Sequence, residues 1–131
     1  MYLDANFIIF AYLLSGKQAA HARNILNEII GGKHAITSSL ALDEVMWVIL
    51  KKKLGHEIRH IIEDVYKTKN VEVKEVSATI PLRALDIMEK HNLKPRDAFH
   101  VAVMEHFGIK EIVSDDEDFD KVPNIQRIKI E

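Results

Sequence analysis

Cysteine is absent from the 131 residues, which excludes a disulfide framework, a thiol nucleophile and cysteine-ligated zinc. That absence fits a reducing, cytoplasmic setting. No run of about 20 apolar residues occurs, so no membrane-spanning helix is expected and the chain should be soluble. The apolar N-terminal stretch is interrupted by Asp4 and Asn6 and lacks the leading positive charge of a secretory signal. Proline and glycine number only 3 and 5, no proline- or serine-rich linker divides the chain, and a collagenous or low-complexity protein is excluded. Charge of one sign is also lacking. Against 18 Lys and Arg stand 20 Asp and Glu, a formal net charge of -2, so the overall field by itself names no polyanionic partner.

What is present is globular: 47% hydrophobic and 29% charged residues, no internal repeat, and one domain expected over 1–131. A domain of this size buries roughly two thirds of its unfolded surface and folds without staples. Tyr2 to Leu3 reads as a short strand ending at Asp4, and helical patterning then runs through Leu14 to the Ser15-Gly16 break. Further helices are predicted over about 17–30, 38–54, 56–69, 77–90 and 95–107, the last opened by Pro95 and followed by Gly108. Short strands are predicted at 34–37, 71–76, 111–113 and 125–130, with 71–76 patterned as an edge strand and 115–120 as an acidic loop. Strands separated by helices predict a three-layer α/β/α fold with a mostly parallel sheet.

In such a sheet ligands bind beyond the carboxyl ends of the strands, which draws attention to acids at strand-to-helix junctions. Asp4 ends the first strand among apolar residues, where a helix N-cap is its plainest role. Glu44 interrupts the apolar segment LALDEVMWVIL, with Leu40, Trp47 and Val48 at helical spacing, so it points inward or at an interface; periodicity alone does not decide between it and the neighbouring Asp43 as the exposed acid, and the alternative for Glu44 is a solvated acid on a partly exposed helix. Asp97 falls in the first turn of the helix after Pro95, where the dipole favours negative charge, and His100 one turn on reads as a helix-surface histidine. Residues 115–120 carry Asp115, Asp116, Glu117, Asp118 and Asp120, without the glycine and distal glutamate of an EF-hand calcium loop. Each acid taken singly has an ordinary structural role. Together they fall at ends that converge on one side of a doubly wound sheet. Clustered carboxylates without thiols suit hard cations such as Mg²⁺ or Mn²⁺, and such ions serve phosphoester hydrolysis.

The ordered set of D-x-N at Asp4 and Asn6, SSLALDEV, RDAFHVAV, and EIVS followed by DDEDF resembles a PIN domain, in particular a VapC-type toxin ribonuclease, over essentially the whole chain. The resemblance implies a five-stranded parallel sheet between helices, a homodimer, metal-dependent endonucleolytic cleavage of RNA and a small antitoxin that blocks the site. It also implies that Asp4, Glu44 and Asp97 are the three central metal-binding acids, with Asp116 the fourth. Ser114 takes the hydroxyl position of the closing motif, and Asp118 is the acid before Phe119. Asp115 adds an acid at the motif's variable position.

On this reading the four acids hold one or two Mg²⁺ or Mn²⁺ ions, directly or through water, while Asn6 and Ser114 orient acids or water. Arg96, Lys51 and Arg59, with Lys52 and Lys53, are candidates for phosphate contact, the alternative for the lysine run being a solvated helix face. Three rivals stand beside it. A haloacid-dehalogenase-like phosphatase would need Asp where Asn6 stands. A flap-endonuclease-type DNA nuclease ordinarily carries longer insertions, and a non-catalytic PIN module would bind RNA or protein without cutting.

Overall fold

The structure, a computed structural model, describes residues 1–131. Five strands, β1 (Tyr2–Leu3), β2 (Ala35–Ser38), β3 (Val71–Lys74), β4 (Glu111–Val113) and β5 (Gln126–Ile128), alternate with six helices. The helices are α1 (Ala5–Tyr12), α2 (Lys17–Ile30), α3 (Ser39–Lys51), α4 (Ile58–Lys67), α5 (Ile80–His91) and α6 (Pro95–His106). Every strand pair is parallel and the order is β3-β2-β1-β4-β5. The predicted three-layer α/β/α fold is therefore present, with a sheet that is wholly parallel. The chain winds outward from β1 to β3 and then returns to lay β4 on the other side of β1. That reversal is the switch point at which open parallel sheets place their ligands.

Alternation along the central strand builds the two cores. Tyr2 and Ile112, paired in register, face the layer of α5 and α6 with Ala84, Val101 and Phe119. Leu3 and Val113 face the opposite layer, with Phe7 and Ile8 of α1, Ile29 of α2, Val45 and Ile49 of α3 and Val65 of α4. No helix is long and apolar enough to cross a membrane.

Several boundaries differ from those predicted, for local reasons. Helix α5 begins at Ile80 rather than 77, because Pro81 belongs in a first turn and Ser77 instead closes a turn with its Oγ on the Thr79 N–H at 3.3 Å. Helix α3 stops at Lys51 rather than 54, because Lys53 adopts φ 61° and the Leu54 N–H returns to the Ile49 carbonyl at 3.1 Å. The acidic loop is partly ordered. Asp116 accepts the Asp118 N–H at 2.9 Å and starts a short 3₁₀ helix over Glu117–Lys121. Strand β3 lies at the sheet edge as expected and ends at Lys74 rather than 76, and the last strand is trimmed to 126–128.

Candidate active site

Beyond the carboxyl ends of β1 and β4, Asp4 and Ser114 stand side by side because Leu3 and Val113 are in register. Asp4 N-caps α1, its Oδ1 accepting the Ala5 N–H at 2.8 Å while Oδ2 accepts the Ser114 hydroxyl at 2.6 Å. Ser114 Oγ in turn accepts the Asp116 N–H at 3.0 Å, so one buried hydroxyl joins the first acid to the last. Burial pushes the Asp4 carboxyl up, against the pull of His100 and of its hydrogen bonds to Ser114 and Ala5.

Glu44 arrives from α3, whose N-terminus is capped by Ser38 Oγ accepting the Ala41 N–H at 3.2 Å. Asp97 arrives from the first turn of α6, opened by Pro95. Burial first, then the neighbouring charges of Asp116 and Asp4, push the Asp97 carboxyl up to about 6. Ligand-capable atoms of Asp97, Asp116 and Asp118 lie within 4.8 Å of one another, as do those of Asp4, Glu44 and His100. Two acids of each trio line one cleft of about 330 Å³, whose walls include Asp4, Asn6, Glu44, Lys52, Asp97 and Asp116, with Ile9, Phe10 and Val48.

All four central acids and Asn6 of the sequence reading thus share one cleft, with Ser114 and Asp118 touching its acids. Asp115 does not. Its two oxygens accept the Ile130 N–H at 3.1 Å and the Gln18 amide at 3.1 Å. Of the basic candidates, Lys52 lines the cleft, while Lys51, Lys53 and Arg59 lie outside its lining and Arg59 pairs with Glu63. Arg96 is also outside that lining and borders a separate hollow of about 380 Å³ with Leu40, Lys94 and Phe99.

The histidine predicted at a helix surface is instead 1% exposed at the floor of the site. His100 Nε2 hydrogen-bonds Glu44 Oε1 and lies 3.9 Å from Asp4 Oδ1. Burial, which opposes charge on the imidazole, is outweighed by the hydrogen bond to Glu44 and by the surrounding carboxylates, so its pKa is raised. Its spacing of one turn puts it on the same side of α6 as Asp97, which does not by itself mark it as buried.

The donors fit a hard divalent cation: carboxylate oxygens from four separate segments, no sulfur, and a buried Asn6 Oδ1 without a hydrogen-bond partner. Like charges this close raise one another's carboxylate pKa values unless a cation relieves them. Asp4, Glu44, Asp97 and Asp116 are the residues that could hold one.

The family model of the PIN domain matches residues 1–125. The chain belongs to the PIN domain family. Among curated PIN relatives, VapC ribonuclease Mb1869c of Mycobacterium bovis and ribonuclease VapC13 of Mycobacterium tuberculosis are each 27% identical over 128 residues, covering 96% of this chain and 97% of theirs. Among solved structures, the sarcin-ricin loop cleaving toxin VapC20 of Mycobacterium tuberculosis superposes with a TM-score of 0.74 at 21% identity, over 91% of this chain and 92% of that one. VapBC2 of Rickettsia felis, bound to a DNA fragment from its promoter, gives 0.74 at 17% identity over 98% and 96%. These likenesses establish the three-layer PIN fold.

Proposed function

We propose that this PIN domain is a divalent-metal-dependent endoribonuclease hydrolysing RNA phosphodiester bonds, the toxin of a type II toxin–antitoxin pair. One observation carries the reading. Acids from β1, α3, α6 and the loop after β4 converge on a single cleft at the sheet's switch point. Bound Mg²⁺ or Mn²⁺, one or two ions, would supply Lewis acidity and an activated water. The protein's own part is positional. Asp4, Glu44, Asp97 and Asp116 present oxygens to the cleft, Ser114 fixes one oxygen of Asp4, and Asn6 offers its unpaired carbonyl. Lys52 places a cation on the cleft wall and Arg96 one next to Asp97 in the first turn of α6, suited to phosphates flanking the bond that breaks. No side-chain nucleophile is required.

A cytoplasmic antitoxin partner and a homodimer belong to the same proposal, supported by the VapBC likeness and by apolar side chains left in solvent. Leu82 and Leu85 on α5 are 70% and 55% exposed, and Trp47 and Leu50 on α3 are also exposed. The test of catalysis is incubation with structured RNA, single-stranded RNA and DNA, with Mn²⁺, Mg²⁺ or EDTA, beside Asp97→Asn. Cleavage of RNA that EDTA and the substitution both abolish is the expected result. Cleavage indifferent to both overturns the metal-carboxylate mechanism, preference for DNA overturns the substrate class, and partner binding without any cleavage makes the chain a recognition module.

A further inference from the structure

Glu44 reaches the cleft on a helix, yet the group that holds its carboxylate comes from the opposite layer of the fold. His100 on α6 contacts it through Nε2, and the other ring nitrogen, Nδ1, lies 2.6 Å from the Tyr2 hydroxyl, which lies 2.7 Å from Ser38 Oγ. Tyr2, Ser38 and His100 are all essentially inaccessible to solvent. A carboxylate can only accept, so Nε2 carries the proton in this bond whichever form the imidazole takes. In the neutral ring, Nδ1 accepts the Tyr2 O–H. Ser38 Oγ already accepts the Ala41 N–H and is free to donate its own proton to the Tyr2 oxygen. Each hydrogen is then used once, in a line from the cap of α3 to its inward acid. Both ring nitrogens are engaged, and neither is left to ligate a cation.

We propose that His100 is a positioning residue which, braced from inside the protein by Tyr2 and Ser38, fixes one oxygen of Glu44 and leaves the other to a divalent cation in the cleft. The brace is tied to the site at each end. Tyr2 lies two residues before Asp4, His100 three after Asp97 and Ser38 six before Glu44, so the brace is anchored on the three segments that carry those cleft acids while its hydrogen bond to the site goes to Glu44 alone. The unoccupied capacity of Glu44 agrees with this: Oε1 takes the histidine, no hydrogen bond engages Oε2, and the residue lines the cleft. Partners of this kind around a metal-binding carboxylate typically account for roughly 10- to 100-fold in affinity.

The inference rests on the metal-dependent reading above, and Mn²⁺ alone is the probe that separates the two. Mn²⁺ affinity is measured by calorimetric titration for wild type, His100→Leu, His100→Gln, Tyr2→Phe and Glu44→Ala, with circular dichroism reporting the fold. His100→Leu should weaken Mn²⁺ binding about 10- to 100-fold. His100→Gln, whose amide can donate from near the Nε2 position, should restore most of the loss. Tyr2→Phe keeps the ring and removes only the hydroxyl, so it tests the brace if His100→Leu does not fold; a loss of about threefold or more is expected. In the Glu44→Ala background neither substitution should weaken binding further, which a merely structural role would not produce. Pulsed electron paramagnetic resonance of bound Mn²⁺ should show no directly coordinated nitrogen. A wild type that binds no Mn²⁺ defeats the metal reading and this inference with it. A wild type that binds, beside folded variants that bind equally well, losses that persist without Glu44, or a nitrogen ligand on Mn²⁺, overturns the positioning role alone.

Discussion

Asp97 opposes folding at the place where the proposed mechanism needs a carboxylate. Its carboxyl is pushed up to about 6 by burial and then by Asp116 and Asp4. The folded value exceeds the unfolded one, so protons bind the folded state more tightly. Its contribution to stability is therefore favourable at low pH and is lost as pH rises from about 4 through about 6. Asp97→Asn in EDTA should melt roughly 4 °C above wild type at pH 7, about 1 kcal/mol once solvent screening of a half-buried group is allowed for, and level with it near pH 4. Scanning calorimetry at the two pH values checks this, and an equal gap at both would refute it. Ser114 has the opposite balance. Its hydroxyl serves a buried carboxylate, and Ser114→Ala should cost about 2 kcal/mol in urea unfolding. The acids were legible in the sequence because a carboxylate such as Asp4, set between apolar residues at a strand end, is costly there unless partners hold it. His100 was not. Ala98, Val101, Ala102, Val103 and Met104 around it are all buried, so α6 has no distinct solvent face against which periodicity could mark the histidine as inward.

At the scale of elements, the helix end set by Pro95 was readable, since α6 begins there as its spacing indicated, whereas Pro81 in the first turn of α5 was passed over and that start was placed three residues early. Ends set by backbone geometry were not readable. The end of α3 depends on Lys53 adopting a left-handed φ of 61°, which no property of lysine announces. Lys53→Gly should remove that strain and stabilise the protein by about 1 kcal/mol in denaturant titration. The same early stop leaves Lys52 as the helix cap, and Lys52 lines the cleft. Lys52→Ala should weaken RNA binding by a similar factor on unrelated sequences and lower the slope of log affinity against log salt by roughly 0.7, measured with single-stranded RNA over a salt series. A change confined to one sequence would mean base recognition instead. Within the acidic stretch, composition could not separate Asp115 from Asp116, since only the fold shows the Ile130 N–H claiming the former.

For the whole molecule, alternation of strand and helix was enough to predict parallel pairing, because a short right-handed crossover returns the chain in the same direction. The net charge of -2 was silent by comparison, because it averages an acidic cleft with basic surface elsewhere. Two divalent ions would reverse its sign and make the most negative region the part that receives phosphate. Metal should therefore stabilise the entire fold through one site. At Mn²⁺ about 100 times its dissociation constant the gain is about 2.7 kcal/mol, or roughly 10 °C in melting temperature. Asp97→Asn should lose most of that gain, as differential scanning fluorimetry with and without EDTA would show.

The central strand of the sheet also precedes the other four strands in sequence. Leu3 has its register partner at Val113, and Asp4 has its hydroxyl partner at Ser114, near the other end of the chain. Asp4, Glu44 and Asp97 therefore all precede in sequence the strand that brings Ser114 beside Asp4. Non-local pairing of this kind forms late, since most of the chain must be looped before it is rewarded. A nascent domain extended only as far as Asp97 lacks both Ser114 and Asp116, so by the proposed mechanism it holds an incomplete set of acids and stays inert until β4 is in place.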